Sequence, residues 1–263
     1  MADAQRLAGR VALVTGGGSG MGRATALRLA SDGARVLVVD QHAESAVATA
    51  REIGAAALGM GADVTDEQAV ASSVETALKH FGRLDIGVNA AGIAASVPLV
   101  NQTVEQFRKI QEVNLTGVFL TCREQSRQMI AQGEGGVIIN FVSTNALQPG
   151  EGLAAYCASK AGVAILTRVA AMELAEHRIR VVGVGPGLTA TPMASRFLTN
   201  PKSLEAFVSN IPLGRPAEPE EVAGVAAFLA SDDAAYITGE TIYVEGGALT
   251  RRYPGLGSRT PTP

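Results

Sequence analysis

The stretch that decides the fold is VALVTGGGSGMG, which runs from Val11 to Gly22. Its apolar, β-branched beginning predicts a buried strand over Val11–Val14, and the pattern after the glycines predicts a helix from about Met21 to Ala30. Glycines at such a junction let a pyrophosphate approach the backbone amides and the positive end of the helix dipole. The alternative is an ordinary glycine-rich turn. If a nucleotide binds, the expected contacts are Gly16, Ser19, Gly20, Met21 and Gly22.

The alternation of strand and helix patterns continues along the whole chain. Further strands are predicted at Val36–Val39, Ala57–Met60, Leu84–Val88, Val137–Val142, Val181–Val184 and Ile242–Val244. Near-continuous apolar strands separated by helices indicate a parallel sheet that is buried on both faces, with right-handed crossovers. The predicted class is therefore α/β: a single-domain, doubly wound parallel sheet of the Rossmann-like kind, with helices on both faces.

Composition narrows the domain organisation and the partners. The chain has 263 residues, a net charge of −3 and no basic stripe, which argues against nucleic-acid binding. It has no apolar run long enough for a membrane span or a signal peptide, and its two cysteines, Cys122 and Cys157, lack the spacing of a disulfide scaffold or a metal site. We expect a cytoplasmic protein without a metal that acts on a small molecule. One domain should cover residues 1–250, followed by a tail over 251–263.

Asp40 is the second candidate for nucleotide binding, because it ends the second predicted strand about twenty residues after the glycine loop. A carboxylate there can accept hydrogen bonds from both adenosine ribose hydroxyls, and its charge would repel a 2′-phosphate. Ser19 and Gln41 are uncharged, and Arg23 is the one basic residue close in sequence. The pattern favours NAD over NADP. The alternative is that Asp40 only caps the following helix.

Two further loops are candidates for the same cleft. Asp63 and Val64 follow the third strand, where they could contact adenine, and the NAAG segment that ends the fourth strand offers Asn89, Ala90 and Gly92. Both have simpler interpretations, because Asp63 could cap a helix that begins near Asp66, and Asn89 could stabilise its own turn.

A candidate catalytic pair lies in GLAAYCASKAGVAILTRVAAMEL, which is predicted to be a long helix. Tyr156 and Lys160 are four residues apart and therefore project from one helix face. Lowering a tyrosine pKa from about 10 to near 7 takes roughly 4 kcal/mol, which a nearby ammonium and an oxidised nicotinamide could supply. Ser143 lies thirteen residues before Tyr156 at the end of a strand, and Asn114 lies in a helix that it could interrupt. In isolation each could be a surface or turn residue.

Taken together these residues resemble the short-chain dehydrogenase/reductase family of about 250 residues. The family pattern is TGxxxGxG, an NAG-like segment, Asn, Ser and YxxxK; here it reads TGGGSGMG, NAAG, Asn114, Ser143, Tyr156 and Lys160. The correspondence extends from Arg10 to Gly247.

The resemblance implies a role for each residue of the catalytic set. Tyr156 would be the acid/base, Ser143 would hold the carbonyl oxygen, Lys160 would bind the nicotinamide ribose and lower the tyrosine pKa, and Asn114 would support a proton-relay water. Both Tyr156 and Lys160 would thus also contact the cofactor. The turn on the nicotinamide side would comprise Pro186, Gly187, Thr189 and Thr191.

The implied activity is NAD-dependent interconversion of a secondary alcohol and a ketone. An NADPH-dependent 3-oxoacyl thioester reductase shares the catalytic set, but Asp40 argues against it. A non-catalytic nucleotide sensor is the third possibility, and the intact set argues against that. The resemblance also implies a homotetramer, which fits the broadly apolar Tyr156 helix and its small residues Ala154, Ala158, Ala161 and Gly162.

The segment Leu188–Leu213 is predicted to form an apolar lid over the substrate, although it could instead be two helices that pack on the core. Its apolar members are Leu188, Met193, Phe197, Leu198, Phe207, Val208 and Ile211. The expected substrate contacts are Ser143, Asn145, Gln148 and Met193. These residues carry no charge, so a neutral substrate is favoured, while Arg196 and Lys202 on the lid leave a carboxylate or phosphate open.

Overall fold

A parallel sheet forms the centre of the computed structural model, which describes residues 5–251. Within that range the strands are β1 (Val11–Thr15), β2 (Arg35–Asp40), β3 (Ala57–Gly61), β4 (Ile86–Asn89), β5 (Gly136–Phe141), β6 (Ile179–Pro186) and β7 (Thr241–Val244). Their order in the sheet is β3-β2-β1-β4-β5-β6-β7. The predicted α/β class and all seven predicted strands are confirmed. The expected tail lies, beyond Arg251, outside the described residues.

Helices cover both faces of this sheet. Their bounds are α1 (Gly20–Ser31), α2 (Ala43–Ile53), α3 (Glu67–Phe81), α4 (Val104–Gln111), α5 (Gly117–Gln132), α6 (Ala154–Leu174), α7 (Ser195–Leu198), α8 (Pro201–Val208) and α9 (Pro219–Ala230). One core cluster joins the sheet to α1, α2 and α9, and a second joins it to α3, α5 and α6.

Strand β1 shows why its residues form a buried strand. Successive side chains of a strand point to opposite faces, so Ala12 and Val14 belong to the first cluster while Val11 and Leu13 belong to the second. All four side chains are almost fully buried. The absence of polar alternation in VALV is therefore the signature of a strand with helices on both sides.

Strand β4 begins two residues later than predicted. The Leu84 amide donates 3.1 Å to the side-chain oxygen of Gln132 rather than continuing a strand pairing. Its neighbour Asp85 accepts a 2.8 Å hydrogen bond from the Val11 amide through its carboxylate. Side-chain bonds thus hold the chain just before β4.

The strand order creates the place where a ligand can bind. After β1, β2 and β3 extend the sheet on one side, whereas β4 pairs with β1 on the other side and leads to β5, β6 and β7. Loops therefore diverge at the carboxyl ends of β1 and β4, which leaves a crevice at this switch point. Within residues 5–251 no helix is both long and apolar enough to cross a membrane.

Candidate active site

Close backbone contacts explain the glycines of the loop after β1. Gly16 has φ +67°, and a Cβ on it would lie 2.7 Å from the Ala91 nitrogen. A Cβ on Gly22 would lie 2.1 Å from the Gly16 oxygen, and one on Gly18 would lie 2.9 Å from the Asp40 carboxylate. Any side chain at these three positions would therefore displace the backbone or Asp40. The loop forms a cradle into which the phosphates of a dinucleotide fit.

This cradle is one wall of a cavity of about 290 Å³ at the switch point. Eleven residues predicted to bind the cofactor line it: Gly16, Ser19, Gly20, Met21, Gly22, Asp40, Asp63, Val64, Ala90, Gly92 and Thr191. The structure thus brings together contacts that come from the ends of β1, β2, β3 and β4. We call this cavity the cofactor cleft.

Asp40 is held in a fixed orientation at the far end of the cofactor cleft. One carboxylate oxygen accepts a 3.0 Å hydrogen bond from the Gly18 amide and the other accepts a 3.0 Å bond from the His42 amide. Helix α2 begins at Ala43 and its N-cap residue is His42, so Asp40 does not act simply as a helix cap. Its carboxylate instead connects the glycine loop after β1 to the end of β2. Arg23 is engaged elsewhere, in a 2.5 Å ion pair with Glu52.

The loop after β3 does not have the simpler role of capping the next helix through Asp63. Asp66, not Asp63, caps α3, through hydrogen bonds from the Gln68 and Ala69 amides. Asp63 accepts hydrogen bonds from the Thr65 amide and hydroxyl and remains on the cleft wall.

Asn89 departs from the prediction. Its side chain is 1% exposed and hydrogen-bonds Gln125 and Asn140 inside the core, so it serves neither its own turn nor the cleft wall. At this strand end the described wall is formed by Ala90, Ala91 and Gly92.

The candidate catalytic pair, Tyr156 and Lys160, lies on α6 as predicted. The Lys160 ammonium is 5.9 Å from the centre of the Tyr156 ring and donates a 2.7 Å hydrogen bond to the Phe141 carbonyl. Burial lowers the pKa of Lys160 to about 8, because the charged form loses hydration. The ammonium is still the main form at pH 7, and it lies where it favours a negatively charged Tyr156 oxygen.

Asn114 interrupts its helix, as predicted. Residues Glu112–Thr116 form a π-helical turn between α4 and α5. The Asn114 side chain accepts from the Ile93 amide at 2.8 Å and donates to the Ile93 carbonyl at 2.9 Å and to the Ser159 hydroxyl at 3.2 Å. It therefore connects the loop after β4 to α6 at Ser159, the residue directly before Lys160.

Ser143 opens onto a second cavity of about 240 Å³, which we call the substrate cavity. Its hydroxyl oxygen accepts a 3.1 Å hydrogen bond from the Asn145 amide, and the hydroxyl donates a long 3.5 Å hydrogen bond to the Asn145 side-chain oxygen, which is weak enough for a ligand oxygen to replace. The walls contain these residues of the predicted site: Ser143, Asn145, Gln148, Tyr156, Pro186, Gly187, Thr189, Thr191 and Met193. Met21, Thr191 and Met193 line both cavities, so the two sites adjoin.

The segment Leu188–Leu213, which was predicted to form a lid, contributes part of its apolar set to the wall of the substrate cavity. The contributing side chains are Leu188, Met193, Phe197, Phe207 and Ile211. Of the two lid cations, Arg196 reaches the cavity wall, whereas Lys202 is exposed and is not among the described wall residues. Leu198 and Val208 are likewise absent from that wall.

Sequence reasoning missed several wall residues. Ile93 and His42 line the cofactor cleft, and each stands next to a recognised motif, NAAG or Asp40. Leu153, Asn210 and Ala248 line the substrate cavity. They come from three separate segments, and no local pattern marks them.

The glycine cradle, the fixed carboxylate and the Tyr156–Lys160 pair define a dinucleotide-binding α/β oxidoreductase. Comparison with known proteins agrees. Residues 16–249 match a family model described as enoyl-(acyl carrier protein) reductase. The chain is 38% identical to 3β-hydroxysteroid dehydrogenase 1 of Eggerthella lenta, with 95% of this chain and 97% of the relative covered. It is also 38% identical to D-threitol dehydrogenase of Mycolicibacterium smegmatis, with 92% and 94% covered.

Solved structures give the same result. A short-chain type dehydrogenase/reductase from Mycobacterium marinum superposes with a TM-score of 0.88 at 37% identity, covering 92% of this chain and 96% of the other. A 3-ketoacyl-(acyl-carrier-protein) reductase from Brucella melitensis, complexed with NADH, gives 0.87 at 41% identity, covering 92% and 99%. The chain belongs to the short-chain dehydrogenase/reductase family.

Proposed function

We propose that this protein is an NAD-dependent dehydrogenase that interconverts a neutral secondary alcohol and its ketone. The observation that carries the proposal is that Ser143 and Tyr156 lie on the wall of a cavity that shares Met21, Thr191 and Met193 with the cofactor cleft. A substrate oxygen between the two hydroxyls would hold its carbon near the nicotinamide end of the cleft.

The chain's own residues supply binding and proton transfer. A bound nicotinamide supplies the hydride acceptor or donor. Tyr156 takes the hydroxyl proton of the alcohol, and Lys160 favours its deprotonated form by charge. Ser143 donates a hydrogen bond to the oxygen on which negative charge develops. Asn114, through its hydrogen bonds to Ile93, would hold the water that returns the proton to solvent.

Asp40 supports NAD as the cofactor. With both carboxylate oxygens held by backbone amides, its charge stays where a ribose diol would bind and where a 2′-phosphate would be repelled. Arg23, the nearby cation, is paired with Glu52. The NADH bound to the Brucella melitensis reductase is consistent with this choice.

The apolar lid supports a substrate with a sizeable hydrocarbon body. Phe197, Phe207 and Ile211 face the cavity, and each CH₂ group that they bury contributes about 0.8 kcal/mol to binding. Asn145 and Gln148 add hydrogen-bonding groups without charge. A cyclic or long-chain secondary alcohol fits this mixture better than a small polyol.

A turnover assay tests the proposal. We expect NADH absorbance to rise when the protein is mixed with NAD and cyclic or long-chain secondary alcohols, with lower kcat/KM for small polyols and hydroxy acids. The alternative, a 3-oxoacyl thioester reductase like the Brucella melitensis protein, predicts instead NADPH oxidation with a 3-oxoacyl thioester. Tight NAD binding without turnover of any substrate would identify a nucleotide sensor.

We also propose a cytoplasmic homo-oligomer, expected to be a tetramer. Ile165, Val169 and Met172 on α6 are 57%, 43% and 79% exposed, which is unusual for apolar side chains on one helix. Gly162 does not contribute to this face, because a Cβ there would lie 2.9 Å from Leu115 of the same chain. Light scattering should give a multiple of 27.0 kDa at micromolar concentration; the mass of one chain would contradict the proposal.

A further inference from the structure

A group of buried polar side chains lies behind the active site, and the proposed reaction does not use it directly. It consists of Asn89 on β4, Gln125 on α5, Asn140 on β5 and Thr167 on α6, each exposed by 1% or less. We call it the amide network. Burying so many polar groups costs stability unless every group finds a partner, so their presence calls for a role.

Every side-chain polar atom of the amide network has a partner at hydrogen-bond distance. Asn89 donates to Gln125 at 3.2 Å and to Asn140 at 2.9 Å, and accepts from Gln125 at 3.0 Å. Asn140 donates 3.0 Å to the Thr167 hydroxyl, which itself donates 2.8 Å to the Val163 carbonyl. The network thus forms one unbroken path from the β4 end to the helix that carries Tyr156.

A glycine in strand β4 leaves the space that this network occupies. Gly87 lies at the centre of β4, and a Cβ there would be 2.3 Å from the Gln125 side-chain oxygen. A side chain at position 87 would therefore expel the carboxamide of Gln125. The Gln125 carboxamide thus occupies the space that a side chain at position 87 would need.

Helix α6 is held at three levels along its length. At its start, Gln111 donates 2.8 Å to the Ala155 carbonyl. In the middle, Asn114 reaches Ser159, and Lys160 reaches the carbonyl of Phe141. Two turns after Lys160, Thr167 binds Asn140, which is the strand residue directly before Phe141.

We infer that the amide network is a positioning device for the catalytic helix, with Thr167 as its contact on α6. Because Asn140 and Phe141 are adjacent on β5, the Thr167 and Lys160 bonds together fix the axial position and the rotation of α6 against the sheet. That placement sets where Tyr156 and Lys160 stand relative to both cavities. The inference rests on the proposed dehydrogenase function and adds Gln125, Asn140 and Thr167 to it as positioning residues.

Thr167→Val tests the inference, because it replaces the hydroxyl by a methyl of similar size and leaves the Asn140 donor unsatisfied. We expect kcat for alcohol oxidation to fall about tenfold, since small displacements of reacting groups have large effects on rate. The acidic limb of the pH profile should move up by about half a unit or more, because a displaced Lys160 stabilises the Tyr156 phenolate less. The Kd for NADH, measured by fluorescence, should stay within about twofold, because the amide network does not line the cleft.

Two matched variants separate positioning from stability. Thr167→Ser restores the hydroxyl and should return both kcat and the pH profile to native values. Thr49→Val removes a buried threonine hydroxyl that bonds only to the Ser45 carbonyl on α2, and should lower the melting temperature without moving the pH profile. If Thr167→Val does not fold, Gln125→Met provides the same comparison.

The inference is overturned if Thr167→Val loses thermal stability while keeping the native kcat and pH profile, or if Thr167→Ser does not rescue them. A failure of the proposed function itself looks different, because the unmodified protein would then reduce no NAD with any alcohol. NADH affinity and melting temperature can be measured in either case.

Discussion

The two cavities at the carboxyl edge of the sheet are built from different material. The cofactor cleft is formed largely by backbone and glycines at strand ends, where a Cβ on Gly16 or Gly22 would collide with main-chain atoms. The substrate cavity is formed largely by side chains, of which Phe197 and Phe207 come from the short helices α7 and α8. A wall made of backbone is determined by the fold, whereas a wall made of side chains can change by substitution. Side-chain substitutions should therefore change the choice of cofactor rarely and the choice of substrate more readily.

The largest effect is expected at Tyr156, on the wall of the substrate cavity. Tyr156→Phe removes only the proton-transferring oxygen, so kcat should fall by about 10² to 10⁴-fold. NADH affinity, measured by fluorescence titration, should stay within a few-fold, because the cleft wall is unchanged. Retention of more than about a tenth of the native kcat would show that another group transfers the proton.

The next effect concerns the one side chain on which the cofactor cleft depends for selectivity. The unmodified protein should prefer NAD over NADP by at least about tenfold in kcat/KM, because Asp40 repels the extra phosphate. Asp40→Ala should narrow that preference. Equal use of both cofactors by the unmodified protein would refute the role of Asp40, and steady-state kinetics with each cofactor measures it.

A substitution on the lid should affect one cavity only. Phe197→Ala shortens an apolar wall residue, so kcat/KM for a long-chain secondary alcohol should fall by about tenfold while the KM for NAD stays constant. Phe228→Ala on α9 is the matched control, because Phe228 is 37% exposed and lies outside the described cavity walls. A parallel rise in the KM for NAD would show that the two cavities are not independent in this way.

The last effect concerns stability rather than activity, and it changes with pH. The unfolded chain holds the Lys160 proton up to about pH 10.5, whereas the folded protein releases it above about pH 8. Below pH 8 the buried ammonium therefore lowers stability, by on the order of 3 kcal/mol, and the cost fades as pH rises toward 10.5.

Lys160→Met should remove that cost. Without cofactor it should melt several degrees higher than the unmodified protein at pH 7, with the difference shrinking toward pH 10. Scanning calorimetry at a series of pH values checks this. Equal melting temperatures at pH 7 would mean that the Lys160 charge is well compensated in the folded state.

The same contrast explains which features could be predicted from the sequence. VALVT, the glycine loop and the Tyr156–Lys160 spacing are local patterns, because a single strand, turn or helix brings their residues together. The second cavity is assembled from distant segments, so Leu153, Asn210 and Ala248 carried no local signal. Asn89 ends β4 as expected, but the direction of its side chain into the core had no local signal, because its partners Gln125 and Asn140 lie 36 and 51 residues away in sequence.

The shared wall of Met21, Thr191 and Met193 has a consequence for the order of events. A cofactor seated against these residues becomes part of the floor on which the substrate rests. Under the proposed function, the alcohol would meet a complete binding surface only after the nucleotide has arrived, and the nucleotide would leave freely only after the ketone has gone. The architecture therefore favours a compulsory sequence of binding and release, in which the spent nucleotide is the last to depart.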